Sequence, residues 1–155
     1  MATFKKSQSS FLVRSCNATI QSLDLFLTPV LLLGIRVWIA QVFWNSGLSK
    51  IQSWSTTIML FENEYKVPLL SPEVAAYLTA TFEITCPPLL VLGLGARLAT
   101  LPLLVITAVI QFTYLNSPEH VYWAFLLGII LCYGPGQISI DALLKRRFFQ
   151  SYKPY

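Results

Sequence analysis

The sequence predicts an all-α membrane protein, a four-helix transmembrane bundle with an interfacial helix or loop between helices one and two. Three observations carry this reading. The 155-residue chain is 55% hydrophobic and only 12% charged, about half the charge of an ordinary soluble domain, and its mean hydropathy is +0.61. Four stretches, at about 27–49, 74–95, 98–116 and 120–138, are nearly free of charge. Each is long enough to cross a bilayer as a helix, which takes roughly 20 mainly apolar residues. Short polar turns join the last three, so neighbouring spans run antiparallel.

The chain opens with a polar leader, 1–24, containing Lys5, Lys6 and Arg14. It lacks the apolar core and cleavage site of a secretory signal, so the first span is expected to stay as its own insertion signal. The membrane domain covers 25–144, followed by a basic tail at 145–155. Residues 51–73 form the one long connection, in which Ile51, Trp54, Ile58, Phe61 and Tyr65 recur at helical spacing. That pattern suits a helix lying in the interface, broken by Pro68 and Pro72. Lys and Arg gather in the two tails and at Arg97, whereas 51–73 and the Glu119–His120 turn are acidic or neutral. The positive-inside rule then places both termini in the cytoplasm, with Trp54, Tyr65, Tyr114, Tyr122 and Trp123 as an aromatic belt at the far boundary. The net charge of +4 sits at the chain ends. No basic stripe interleaved with aromatics accompanies it, so nucleic acid is not an expected partner.

Two opposite charges lie well inside the spans, Arg36 in the first and Glu83 in the second. A buried charge is costly unless it faces protein or water and finds a partner. With the first span placed at about 29–50, their axial offset is about 8 Å, short enough for the long Arg side chain to cover most of it. An Arg36–Glu83 pair is therefore expected between the first two helices, with Thr79 beside Glu83 and Gln111 of the third span as neutral polar partners. Small residues on both facing sides permit close approach, and Pro87 and Pro88 leave carbonyls near Glu83 without their usual donors. Such a pair either locks the bundle or lines a polar, proton-linked site.

Other residues carry less. Cys16, Cys86 and Cys132 make no CxxC and no metal-ligand spacing, and are expected to pack. The single histidine, His120, is expected as an exposed turn residue. No phosphate loop, nucleophile–base motif or metal site is visible, so no catalytic residue is identified. Gly134-Pro135-Gly136 should break the chain at the end of the fourth span, after which Ser139 or Asp141 could cap a short basic helix over 142–149.

That Gly-Pro-Gly-x-x-Ser-x-Asp ending resembles the DoxX family of small four-helix membrane proteins. So does Arg36 followed by Phe43, Gly47 and Lys50, and so does Glu83 leading into the run 88–97 that ends at Arg97. The resemblance covers roughly 35–144. It implies a membrane subunit or partner of an oxidoreductase or stress-response system in a bacterial inner membrane, with protein partners in the bilayer and a quinone as candidate cofactor. A quinone ring could fit among Trp38, Phe43 and Phe82, although aromatic residues in spans more often only pack. Gln111 stands where other members can place His, against a haem or proton-relay role. Residues 64–68 and 109–111 look like a branch encoded beside modifiers of small metal-binding peptides. Two rival readings follow: a homo-oligomeric carrier or channel component for a metal or metal–peptide complex, and a structural anchor for partner proteins.

Overall fold

A computed structural model describes residues 2–67, 70–114 and 117–149, with side chains from 23 onward except at 24 and 149. Among the described residues six α-helices occur, in the order α1 (Ala2–Gln52), α2 (Trp54–Leu60), α3 (Pro72–Leu92), α4 (Ala96–Thr113), α5 (Pro118–Tyr133) and α6 (Ile140–Phe149). A π-helical turn, Phe61–Tyr65, continues α2. There is no strand among the described residues.

The polar leader and the first span are one helix, of which Leu25–Gln52 is the apolar part. Among the described residues, three helices are long and apolar enough to cross a membrane: that part of α1, α3 and α4. The fourth, α5, has 16 residues, about 24 Å at 1.5 Å per residue. It starts earlier than expected because Ser117 caps it with Pro118 in the first turn. It also stops five residues short of 138, because Gly134 and Gly136 take φ of +80° and +79°, a region closed to most residues.

The helices form a ring in which α1 packs on α3, α3 on α4, α4 on α5, and α5 back on α1. Ile39, Phe43, Leu90, Leu103, Leu127 and Ile130 fill the centre. The outer surface is apolar as well, with Phe26, Leu98, Phe112 and Phe125 strongly exposed, the inverse of a soluble surface and the expected face towards lipid. Burial on this outside comes from the bilayer, so helix faces cannot be told apart by hydropathy alone.

The connection after α1 folds back over the ends of α3 and α4. Trp54 meets Tyr77 at 4.5 Å, and Tyr65 meets Phe61 at 4.7 Å and Tyr114 at 4.9 Å between ring centroids. Lys66, at φ +40°, ends the helical run. Pro68, expected to break it, lies outside the described residues. Pro72 instead opens α3, where Ser71 accepts from the Val74 N–H at 3.5 Å, a capping arrangement typical of Ser.

Candidate functional site

The expected Arg36–Glu83 contact is not formed. The two residues anchor separate polar clusters at opposite ends of the α1–α3 interface. Gly47 touches Glu83, since a Cβ added to it would lie 3.0 Å from the Glu83 Cβ. Arg36 instead lies against Leu90 and Gly93. Those two glycine contacts fix the helix register. Positions 36 and 47 are eleven residues apart, about 16 Å along the axis, twice the offset that a midplane alignment suggests.

The first cluster is a closed ring of three side chains. Lys50 Nζ donates to Glu83 Oε2 at 2.7 Å and to Ser46 Oγ at 2.8 Å, and Ser46 Oγ donates to Glu83 Oε1 at 3.3 Å. Glu83 is 1% exposed and the Lys50 side chain 11%. Buried carboxylates need both a countercharge and hydrogen bonds, and one turn of α1 supplies both. Among the described residues this is the one salt bridge. Lys50 was legible as a motif position but not as this partner. The missed signal is the Ser46-x3-Lys50 spacing, which puts two polar groups on the Gly47 side of α1.

The second cluster gathers most of the remaining motif positions. Arg36 is fully buried and donates to the carbonyls of Leu90 and Ile138, while its Nε finds no partner. The charge of Asp141 acts on it without a direct ion pair. Asp141 is committed to the α3–α4 turn instead: its Oδ1 accepts from the Gly95 N–H at 2.9 Å, and its own N–H donates to the Gly93 carbonyl at 3.0 Å. Of the two candidate caps it is Ser139 that caps α6, accepting from the Ala142 N–H at 3.1 Å and donating to the Gly136 carbonyl at 2.7 Å. Arg97 donates to the Cys132 carbonyl at 3.2 Å. It lies over Gly134, where a Cβ would sit 3.1 Å from its Nε. Pro135 lies with them in a groove beside Lys145.

Thr79 and Gln111 join neither cluster. Gln111 Oε1 accepts from the Ser117 N–H at 3.3 Å and meets His120 Nδ1 at 3.2 Å, so it serves the α4–α5 turn. His120, expected as exposed, is 8% exposed and packs on Trp123 at 5.1 Å. Cys86 is buried in the core. The Trp38, Phe43 and Phe82 rings do not share a pocket. Trp38 pairs with Tyr122 at 5.5 Å and Phe43 with Trp123 at 6.1 Å, while Phe82 turns towards α4.

Thr79 and Phe82 line a different feature, a cavity of about 290 Å³ between α3 and α4 beneath the folded-back connection. Phe61, Tyr65 and Val67 cover it and Ile106 and Val109 form the far wall. Tyr65 and Thr79 are the polar residues in its lining. Burial first, then Tyr114, Glu83 and Glu64, pushes the Tyr65 phenol up from the usual value.

A family model described as DoxX matches residues 31–116, more than half of the chain. The chain belongs to the DoxX family. No curated protein and no solved structure matches it. The matched DoxX segment contains the whole Lys50–Glu83–Ser46 ring, together with Arg36, Gly93, Gly95 and Arg97. The loop carrying Ile138 and Ser139, with Asp141 in the first turn of α6, closes on it from outside. As a DoxX protein with several helices of spanning length, it is a multi-pass membrane protein whose outer face contacts the bilayer.

Proposed function

We propose that this DoxX-family protein is the membrane subunit or partner of an oxidoreductase or stress-response system, and that the α3–α4 cavity receives an apolar ring of quinone type. The cavity is the observation that carries the reading. Its walls are apolar, three rings (Phe61, Tyr65, Phe82) border it, and its volume of about 290 Å³ suits a ring better than a long tail, which the bilayer would take. Quinone carbonyls accept hydrogen bonds. The Tyr65 phenol, kept protonated by burial and by neighbouring charge, is the donor best placed to meet one. A bound quinone would supply two-electron carrier chemistry to a partner. This chain's own contribution is to bind the ring and to hold the covering segment over it. The distribution of Lys and Arg supports an orientation with the Arg36 cluster near the cytoplasm and the cavity near the opposite boundary.

Filling the space is the direct test. Val109→Trp, purified in mild detergent, should keep the bundle's thermal transition yet lose both copurifying quinone and binding of a short-tailed benzoquinone. Wild-type protein that neither copurifies with nor binds a quinone would remove the reading.

A further inference from the structure

On the lipid side of α1, away from both polar clusters, Gln41 is exposed in the wall of a groove between α1 and α3. It lies eleven residues before Gln52, the end of the apolar part of α1, about 16 Å along the axis. That depth is inside the hydrocarbon core. Asn45, one turn further along the same face, is exposed too. Neither amide has a hydrogen-bond partner among the described residues. Other polar side chains that face lipid do not share this problem: Thr81 and Thr85 each bond a carbonyl four residues back, at 2.7 and 2.8 Å. An unsatisfied amide facing hydrocarbon is unfavourable, and membrane helices relieve it by bonding across to a neighbour.

We infer that a second copy of this chain docks on this face, with the two Gln41 amides bonding reciprocally across a twofold axis. Three features favour a copy of the same chain. A carboxamide carries both donor and acceptor, so Gln41 complements itself, as an isologous contact requires. Pro88, in the opposite wall of the groove, gives no N–H to the Ile84 carbonyl, leaving an acceptor where a partner's amide can reach. Gly34, two turns before Gln41 on the same stripe, would meet nothing within 4 Å if it carried a Cβ. Two α1 helices can therefore approach closely there. Val37 and Trp44 complete an apolar surround, both exposed. The inference does not depend on the quinone reading.

Two measurements test it. In native membranes, with Cys16 and Cys132 changed to Ser, Val37→Cys should form a disulfide-linked dimer of this chain. Phe125→Cys, on the lipid face of α5, should not. In mild detergent, light scattering should give twice the 17.5 kDa protein mass, and Gln41→Leu should weaken the dimer about tenfold with an unchanged thermal transition. A monomeric wild type, equal crosslinking at both cysteines, a Val37→Cys adduct to a different protein, or a Gln41→Leu dimer of unaltered strength would each overturn the inference.

Discussion

Two glycines in one turn carry different loads. Gly95 has φ +56° and open space where a Cβ would be, whereas at Gly93, with φ +66°, a Cβ would collide with the Arg36 guanidinium and come 2.5 Å from the Ser139 Cβ. Gly95→Ala should therefore cost only the left-handed backbone term, about 1–2 kcal/mol. Gly93→Ala should cost that plus a further 1–3 kcal/mol or so of overpacking, and should loosen the loop that carries Ile138. Denaturation of both variants in micelles checks the ordering. Equal costs would mean that Gly93 does not seat Arg36. The residue-level chemistry was partly legible. A buried Arg and a buried Glu announce that partners must exist. They do not say which, because a backbone carbonyl satisfies a guanidinium as well as a side chain does, and Leu90 and Ile138 offer no polar side chain to notice.

At the scale of elements, the connection between α1 and α3 is the part whose chemistry can be read by titration. Burial is the largest influence on Tyr65, and it acts with Tyr114, Glu83 and Glu64 in the same direction. The phenol is raised above its usual 10.0, so the folded state holds the proton more tightly than the unfolded state. Its contribution to stability is then fully present below pH 10 and is lost as pH rises through the folded value. Tyr114 is raised too, first by its hydrogen bond to Glu64, so ultraviolet titration should show late-ionising tyrosine absorbance that falls but does not vanish in Tyr65→Phe. An unchanged late amplitude would mean that Tyr65 is not held beneath the connection. The helical spacing of Trp54, Ile58, Phe61 and Tyr65 made this element visible in advance, because its faces differ. The break after α5 was legible in Gly134-Pro135-Gly136, and Gly134 does leave the helix at φ +80°. The span's bound at about 138 was not, because hydropathy does not register backbone angle.

For the whole molecule, the order of the long apolar helices was legible in apolar length, and the register between them was not. Spans that are apolar on every side can slide by a turn without changing any hydropathy pattern. The contacts of Gly47 with Glu83 and of Gly93 with Arg36, with the polar bonds beside them, fix the alignment. The result is a bundle with one polar cluster at each end of the α1–α3 interface, joined by an apolar core containing Phe43, Cys86 and Leu90. One cluster ties α1 to α3 through an ion pair. The other ties α1, the α3–α4 turn and the α5–α6 loop together through carbonyls and Asp141. A pair of double-mutant cycles distinguishes this arrangement from one central ion pair. With Lys50→Met, Glu83→Met and Arg36→Met made singly and in pairs, Lys50→Met alone should cost about 3–5 kcal/mol by stranding Glu83. Lys50 and Glu83 should couple by about 1–3 kcal/mol, while Arg36 and Glu83 should add to within about 0.5 kcal/mol. Strong coupling between Arg36 and Glu83, with Lys50 and Glu83 merely additive, would contradict the two-cluster bundle.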